Sequence, residues 1–247
     1  MRTNILGCPI DKITMGQAVQ KVASYINEKN IQNYRHIITL NAEILYKALS
    51  DQKLKAIINQ ADLVTPDGSG IVWASKQLGD PVPERVTGID LMEALVREAG
   101  LQGWKLYFYG AAPGIAQLAA KNLQNKYKNL NIVGTKDGFI SSDLMPELLA
   151  DIKAKKPDIL FVALGAPKQE FWINMYKDII QVPVSIGVGG SFDVLAGKVK
   201  RAPKLFQKLH AEWLYRLIKE PWRYKRMMVL PKFILKIMQE KTNKRSS

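Results

Sequence analysis

Four short polar segments directly follow apolar runs of the chain, and each carries side chains that could act on a substrate. They are Thr39-Leu40-Asn41, Thr65-Pro66-Asp67-Gly68, Gly165-Ala166-Pro167-Lys168-Gln169 and Gly189-Gly190-Ser191-Phe192-Asp193. Polar groups at the ends of apolar strands need hydrogen-bond partners, and a substrate can supply them. Because ligands of open α/β sheets bind outside the carboxyl ends of the strands, the four segments predict one site at that edge of a sheet.

Asp67 and Arg85 are the candidates for charge-dependent chemistry. Asp67 lies in a Pro-Asp-Gly turn, which an aspartate can stabilise without any other role, but the Gly-Ser-Gly that follows leaves its carboxylate uncrowded. An inverting glycosyl transfer needs one carboxylate to take the proton from the attacking hydroxyl group. The Arg85 guanidinium can bind a diphosphate through two hydrogen bonds, or it can pair with Glu84 or another acid.

Two turns rich in small residues are candidates for contact with a diphosphate. In Tyr109-Gly110-Ala111-Ala112-Pro113-Gly114, an apolar run meets a helix start, where backbone N–H groups can face a phosphate. The turn lacks the complete G-x-G-x-x-G pattern, so a plain tight turn is the alternative interpretation. The segment over residues 187–190 is open to the same two interpretations.

Several other chemistries lack their sequence patterns. The chain has no Asp-x-Asp pair for a metal-bound nucleotide, no Cys and His cluster with zinc spacing, no Gly-x-Ser-x-Gly elbow and no Walker motif. We therefore predict no metal site. A nicotinamide-dependent oxidoreductase on a Rossmann-type sheet is an alternative, although its dinucleotide fingerprint is incomplete.

The elements that must position these residues alternate between strands and helices up to residue 197. Apolar, β-branched runs predict strands over Asn4–Ile10, Arg35–Leu40, Asp62–Thr65, Lys105–Gly110, Asn131–Thr135, Ile159–Leu164 and Val184–Val188. Helical periodicity fills the intervals and includes one helix over Ala42–Gln60. An apolar helix face at Met92–Val96 fits either the core or a subunit contact, which leaves a homo-oligomer open. We predict an α/β, Rossmann-like fold with a mostly parallel sheet flanked by helices.

The chain changes character after residue 197. Residues 198–247 hold 15 Lys or Arg and three Glu, whereas residues 1–197 hold 21 basic and 19 acidic residues. The predicted helical segments of this last part are Pro203–Lys219, Trp222–Met228 and Lys232–Lys241. Pro221 and Pro231 are expected to separate them. We divide the chain into an α/β catalytic domain, residues 1–197, and a basic, amphipathic helical C-terminal appendage, residues 198–247.

The appendage predicts a polyanionic partner. Its Trp, Tyr, Leu and Met residues alternate with Lys and Arg, which is typical of helices at a membrane interface. An anionic membrane surface is the expected partner, and a helix packed on the body or a nucleic-acid-binding protein are the alternatives. No apolar run reaches the roughly 18 residues of a spanning helix, and the first 11 residues lack a signal-peptide pattern. We predict a cytoplasmic protein that binds peripherally to the inner face of the cell membrane.

The order and spacing of the motifs resemble the WecG/TagA/CpsF glycosyltransferases over nearly the whole chain. The matching segments are Thr-Leu-Asn-Ala-Glu, Thr-Pro-Asp-Gly-Ser-Gly, Glu-Arg-Val-Thr-Gly-Ile-Asp, Tyr-Gly-Ala-Ala-Pro-Gly, Ala-Leu-Gly-Ala-Pro-Lys-Gln-Glu, Gly-Val-Gly-Gly-Ser-Phe-Asp, and Glu-Trp-Leu-Tyr-Arg-Leu followed by Glu-Pro-Trp-Arg-Tyr. The resemblance implies an inverting, metal-independent transfer that needs no cofactor. UDP-N-acetylmannosamine would be the donor and undecaprenyl-diphosphate-linked N-acetylglucosamine the acceptor, which gives the linkage disaccharide of wall teichoic acid. Relatives in exopolysaccharide or common-antigen synthesis use other UDP-sugars, which leaves the donor open.

The resemblance also implies roles for residues of this chain. Asp67 would be the general base, and Arg85 would offset the charge of the diphosphate. Thr39 and Asn41 would contact the reacting sugars. The candidate nucleotide contacts are Gln169, Gly110, Gly189, Ser191, Asp193 and Phe139. The expected contacts of the lipid diphosphate, brought over the site by the appendage, are Arg216, Arg223 and Arg226. No nucleic acid is expected as a partner.

Overall fold

A six-stranded, all-parallel sheet forms the centre of the fold. The computed structural model describes residues 1–28, 34–203, 206, 212–219, 224 and 228–246. The strands are β1 (Arg2–Ile5), β2 (Cys8–Asp11), β3 (Arg35–Leu40), β4 (Leu63–Pro66), β5 (Lys105–Gly110), β6 (Asn131–Lys136), β7 (Ile159–Ala163) and β8 (Val184–Gly187). The sheet has the spatial order β4-β3-β8-β7-β5-β6, and β1 and β2 form a separate two-stranded sheet.

Helices cover both faces of this sheet. They are α1 (Met15–Asn27), α2 (Ala42–Ala48), α3 (Gln52–Gln60), α4 (Ser69–Gln77), α5 (Gly88–Gln102), α6 (Ile115–Lys126), α7 (Met145–Lys155), α8 (Lys168–Ile180), α9 (Ser191–Leu195), α10 (Glu212–Lys219) and α11 (Val229–Ser246). Helices α1, α5, α6 and α9 pack on one face, and α2, α3, α4, α7, α8 and α11 pack on the other. The prediction of an α/β, Rossmann-like fold is confirmed.

The core explains why the central strands are apolar on both sides. On the first face the ring of Phe108 stacks on Phe192 at 5.0 Å between centroids and meets the edge of Phe161 at 5.7 Å. Met92 and Val96 are fully buried in the same cluster, so the apolar helix face that the sequence left open belongs to the core. Strands covered on both faces bury every side chain, which produces continuous rather than alternating apolar runs.

The predicted strand over Asn4–Ile10 is wrong, because this segment is a hairpin. Leu6 and Gly7 have φ angles of 53° and 79°, and they turn the chain so that β1 pairs antiparallel with β2. The N–H of Gly7 donates to Asn4 Oδ1 at 2.9 Å. Two consecutive positive φ angles match the twist of a two-residue hairpin, but a leucine at the first position rarely signals one.

The predicted single helix over Ala42–Gln60 is also wrong. Asp51 begins a second helix there, since its Oδ1 accepts from Leu54 N at 3.0 Å. An aspartate that caps a helix competes with continuation of the preceding one.

The predicted helix boundaries of the appendage need correction as well. Pro203 lies in non-helical backbone, so the predicted segment Pro203–Lys219 does not begin there. Within this segment the structure describes helical backbone at Phe206 and over α10, and the intervening residues lie outside the described ranges. Pro231 does not separate two helices but lies in the first turn of α11, where the missing N–H of a proline removes no helical hydrogen bond. Most of the predicted segment Trp222–Met228 lies outside the described residues.

Helix α11 packs against the α/β body. Phe233 and Ile237 are buried in the cluster formed with α2 and α4. The N–H of Leu6 donates to Glu240 Oε2 at 3.0 Å, and Lys241 Nζ donates to Gln77 Oε1 at 2.8 Å. Part of the predicted appendage therefore shares the core of the body. Within the described ranges, no helix combines the length and apolar character that a membrane crossing requires.

Candidate active site

The carboxyl ends of β3 and β8 mark the point of the sheet edge where the topology predicts a ligand-binding crevice, and this point is called the crevice below. These adjacent strands lead into α2 and α9, which pack on opposite faces of the sheet. Such a reversal opens the ligand-binding crevice of open α/β folds. Asn41 follows β3, Asp67 follows the neighbouring β4, and Gly189 follows β8, so the structure places these three predicted residues around the crevice.

Asp67 lies half-buried at the rim of the crevice. Its N–H donates to Leu40 O at 2.9 Å, which fixes the turn to the end of β3. The N–H of Gly88, the first residue of α5, points to Asp67 Oδ2 at 3.4 Å. The first N–H groups of a helix stabilise negative charge, so this contact suits an ionised carboxylate.

Asn41 lies beside the turn that carries Asp67. Its Oδ1 accepts from Ile44 N at 3.0 Å and so begins α2. A Cβ atom on Gly68 would come within 4.0 Å of Asn41 Cβ, which shows how closely the two loops pass. The side chain of Asn41 is partly exposed at this edge of the sheet.

Thr39 lies beneath the crevice rather than on its surface. It is 6% exposed, and its hydroxyl donates to Gly187 O at 3.2 Å, which links the ends of β3 and β8. A Cβ atom on Gly88 would approach Thr39 Oγ1 to 3.0 Å, so a glycine lets α5 begin directly above this hydroxyl. Thr39 therefore helps to set where the N–H of Gly88 meets Asp67.

The loop that carries Arg85 is attached to the end of β4. The N–H of Val86 donates to Pro66 O at 3.0 Å, and Thr65 Oγ1 donates to Val86 O at 3.2 Å. These bonds hold Arg85 close to the Asp67 turn, since Asp67 is the next residue after Pro66.

Arg85 belongs to a cluster of two guanidinium groups and two carboxylates, the α5 ion cluster, formed by Arg85, Asp90, Arg201 and Glu212. Arg85 Nη1 lies 2.8 Å from Glu212 Oε2, and Arg201 Nε lies 3.6 Å from Glu212 Oε1. Two nitrogens of Arg201 contact the Asp90 carboxylate at 2.7 Å and 2.8 Å. Burial disfavours the ionised form of Asp90, but hydrogen bonds from Arg201 and Thr87 outweigh it and lower the pKa of Asp90.

Asp90, Arg201 and Glu212 are not among the site residues predicted from the sequence. Arg201 lies 111 residues after Asp90 and Glu212 lies 127 residues after Arg85, so no spacing pattern connects these pairs. The sequence offered two signals: Asp90 ends the Glu-Arg-Val-Thr-Gly-Ile-Asp segment, and Glu212 is one of three acidic residues in the basic stretch over residues 198–247.

Gln169 supports the loop after β8 from inside the protein. It is 3% exposed, and its Oε1 accepts from Gly189 N at 3.0 Å while its Nε2 donates to Glu170 Oε1 at 2.9 Å. A Cβ atom on Gly187 would overlap Gln169 Nε2 at 2.5 Å, so this packing requires glycine. Burial raises the pKa of Glu170, whose second oxygen has no hydrogen-bond partner in the described part of the chain.

Ser191 and Asp193 lie in α9, immediately after this loop. Ser191 is buried, and its hydroxyl donates to Val188 O at 2.6 Å, so the side chain stabilises the turn into α9. A Cβ atom on Gly190 would lie 3.9 Å from Asp193 Oδ2, which places that carboxylate beside the loop.

Phe139 and Gly110 lie farther along the same edge, beyond β7. The side chain of Phe139 is 77% exposed, and the N–H of Gly138 donates to Ala111 O at 2.9 Å, which attaches this loop to the end of β5. A Cβ atom on Gly110 would overlap the backbone of Ala163 at 2.5 Å, so glycine lets the ends of β5 and β7 meet. An exposed aromatic ring at strand ends is suited to stacking on a base.

The predicted site residues therefore form two groups along one edge, with the Gln169 and Gly189 pair between them. Asp67, Asn41 and Arg85 lie on the β3 and β4 side, and Phe139 and Gly110 lie on the β5 and β6 side. Arg216 lies in α10, whereas Arg223 and Arg226 lie outside the described residues. Among the residues that the structure covers, no three His, Cys, Asp or Glu side chains form a group that could hold a metal ion.

Comparisons with known proteins point to one family. The sequence model of the family described as "Glycosyl transferase WecG/TagA/CpsF family" matches residues 3–247. A protein of Bacillus spizizenii strain W23, named N-acetylglucosaminyldiphosphoundecaprenol N-acetyl-beta-D-mannosaminyltransferase, is 37% identical over 203 residues, which are 82% of this chain and 78% of that protein. A protein of Bacillus subtilis strain 168 with the same name is 36% identical to this chain, over 85% of this chain and 81% of that protein. In Staphylococcus aureus strain MW2 the identity is 36%, over 97% of this chain and 93% of that protein.

Proposed function

Since the chain belongs to the WecG/TagA/CpsF family of glycosyltransferases, we propose that it transfers N-acetylmannosamine from UDP to N-acetylglucosaminyl-diphosphoundecaprenol. The product would be the disaccharide that links wall teichoic acid to its carrier. One observation supports this proposal best: the half-buried carboxylate of Asp67 lies at a sheet-edge crevice with Asn41 and the Arg85 loop beside it.

The proposed reaction is a single displacement at the anomeric carbon of the donor sugar. The hydroxyl oxygen of the acceptor forms a bond to that carbon, and its proton passes to the carboxylate of Asp67. The bond from the carbon to the phosphate oxygen breaks, and its electron pair leaves with UDP. Because attack comes from the side opposite the leaving group, the configuration inverts. A base in this position contributes about 10²–10⁴-fold to the rate.

The departing UDP needs positive charge close to its phosphates. Glu212 engages Nη1 of Arg85, and the other N–H groups of this guanidinium are suited to a diphosphate. Arg216, Arg223 and Arg226 of the appendage would add charge on the side of the lipid diphosphate. Fixed donors in a site that excludes water stabilise such charge more strongly than solvent does. We propose that the transfer needs no metal ion, with arginines offsetting the phosphate charge that a bound cation offsets in other transferases.

The nucleotide would lie along the edge from the crevice towards β5. The backbone at Gly189 offers close approach, since a Cβ atom there would meet no other atom within 4 Å, and Gln169 holds this loop in place. Gly110 lies farther along the edge, at the end of β5. Ser191 and Asp193 border the same loop. Phe139 supplies an exposed ring for stacking on the nucleotide.

A donor screen tests the proposed function. We expect UDP release and a disaccharide-lipid product when UDP-N-acetylmannosamine and a short-chain diphosphate-linked N-acetylglucosamine acceptor are both present. Other UDP-N-acetylhexosamines should react at less than about a tenth of this rate, because a pocket that hydrogen-bonds one sugar leaves polar groups unpaired with its isomers. EDTA should change the rate less than about twofold. A faster reaction with another donor, or activity lost to EDTA and restored by a cation, would contradict these parts of the proposal.

The proposal also includes docking on an anionic membrane at the cytoplasmic face, where the lipid-linked acceptor is available. Phe233 and Ile237 of α11 face the body, and the outward side of the helix carries further apolar residues. These exposed residues are Ile234, Leu235 and Met238. Lys232 and Lys236 are exposed beside them. A helix with apolar and basic side chains on its free side is typical of interfacial binding.

Replacing Ile234, Leu235 and Met238 together by serine should weaken binding to phosphatidylglycerol vesicles about tenfold or more. Each Å² of apolar side chain that is buried in lipid contributes about 25 cal/mol to the binding free energy, and serine removes nearly all of this apolar surface. Vesicle co-sedimentation measures the change. The matched control replaces Leu101, Met175 and Ile179, which are exposed on other helices, by serine. Equal sedimentation of the α11 variant and the wild type, or equal losses in both variants, would rule out α11 as the docking face.

A further inference from the structure

The carboxylate of Glu212 joins the appendage to the loop that carries Arg85. Its two oxygens lie 2.8 Å from Arg85 Nη1 and 3.6 Å from Arg201 Nε. The side chains of Arg85 and Glu212 are 16% and 17% exposed, so salt screens this pair less than an ordinary surface pair. The first residue of α10 is therefore held by arginines from two distant parts of the chain.

The α5 ion cluster continues from Glu212 towards the crevice. Asp90, which binds Arg201, lies in the first turn of α5 and accepts from Thr87 Oγ1 at 2.6 Å. The same helix begins with Gly88, whose N–H points to Asp67. Polar contacts at both ends of the first turn of α5, joined by the backbone of Thr87 and Gly88, thus connect α10 to the candidate base.

The geometry leaves Arg85 in contact with Glu212 through one end of its guanidinium. A guanidinium has five N–H donors in a planar fork, and Glu212 accepts from Nη1. An arginine side chain has many rotamers, and a ligand that orders the fork must offset the lost rotamer entropy. A carboxylate that already fixes the orientation of the fork removes part of this cost. The charges of the cluster balance, since Arg201 and Asp90 accompany the pair.

We propose that Glu212 is a positioning residue for the donor, which orients the Arg85 guanidinium so that its remaining N–H groups bind the diphosphate of the UDP-sugar. Donor binding then depends on α10 being docked against the Arg85 loop. This inference rests on the proposed function, in which Arg85 contacts the diphosphate. It gives the appendage a role on the donor side, in addition to the membrane and the lipid acceptor.

UDP binding to the full-length protein, measured by calorimetry without acceptor or vesicles, tests this inference. Glu212→Ala should weaken UDP binding about five- to thirtyfold and raise the donor KM by a similar factor, while the acceptor KM stays unchanged. Glu212→Gln keeps an oxygen for Arg85 and should stay within about threefold of the wild type. The double variant Arg85→Ala/Glu212→Ala should bind UDP no more weakly than Arg85→Ala, because Glu212 acts through Arg85.

Two further variants separate positioning from loss of structure. Glu240→Ala removes another carboxylate that connects the appendage to the body, at Leu6 N, and should bind UDP like the wild type. Glu212→Asp keeps the charge but shortens the side chain, so it should lose UDP affinity even if Glu212→Ala does not fold.

Three results of the UDP titrations would overturn the inference. Wild-type or tighter UDP binding by folded Glu212→Ala would overturn the inference, and tighter binding would identify Glu212 as a competitor for the guanidinium. A loss in Arg85→Ala with none in the Glu212 variants would overturn the inference alone. Failure of the folded wild type to bind UDP would overturn the proposed donor and the inference with it.

Discussion

Asp67→Asn should bind UDP as the wild type does and turn over about 10²–10⁴-fold more slowly. An asparagine can occupy the same turn, and its amide oxygen can still accept from Gly88 N, so the rim of the crevice keeps its shape. The amide cannot take a proton from the acceptor hydroxyl, so only the step that needs a base is affected. The measurements are kcat at saturating donor and acceptor, and UDP affinity by calorimetry.

Asp143→Asn is the matched control for this substitution. Asp143 is an exposed aspartate in the short 3-10 helix over Ser142–Leu144, so its loss of charge should leave turnover unchanged. Turnover near the wild-type value in Asp67→Asn would remove Asp67 from the role of base. A parallel loss of UDP affinity and rate would instead indicate that Asp67 maintains the structure of the site.

The second large effect concerns stability. Phe233→Ala should lower the free energy of unfolding by about 3–5 kcal/mol, the usual cost of removing a buried aromatic side chain. Phe233 is 1% exposed and packs among residues of α2 and α4, so its removal leaves a cavity between the appendage and the body. Urea unfolding followed by circular dichroism measures the change.

Leu235→Ala on the same helix is the matched control for Phe233→Ala. Leu235 is 64% exposed, and its truncation should change stability by no more than about 0.5 kcal/mol. Similar small effects for both variants would mean that α11 does not pack on the body.

The burial of Phe233 and Ile237 makes deletion of residues 198–247 a poor test of membrane binding, because the deletion removes both side chains from the core. Substitutions on the outward side of α11 avoid this problem.

The central sheet could be predicted from the sequence because its strands are buried on both faces. Runs such as Ile159-Leu160-Phe161-Val162-Ala163 have no polar alternation, and that pattern is specific to covered parallel strands. The predictions of one strand over Asn4–Ile10 and one helix over Ala42–Gln60 were wrong because a local feature outweighed the hydrophobic periodicity in each segment. Leu6 at positive φ created a hairpin, and the cap at Asp51 divided an apolar, helical stretch.

The positions of Asp67 and Asn41 could also be predicted, since residues that follow neighbouring parallel strands must meet at one edge. Their hydrogen-bond partners could not be predicted in the same way. Thr39 looked like a surface residue of the site, but its hydroxyl is used between β3 and β8. The pairing of Arg85 with Glu212 depends on how the appendage folds back, which strand and helix periods do not encode.

Packing of one side of α11 on the body determines how the molecule can rest on any surface that the free side of the helix contacts. A loosely linked tail would let the catalytic edge sample many heights and tilts. Because Phe233 and Ile237 pack in one cluster with α2 and α4, we expect α11 to keep its position relative to the sheet. A surface bound there would lie at a constant separation from Asp67. Acceptors would then be selected by how far their sugar extends beyond the phosphates, and little by the length of the hydrocarbon chain.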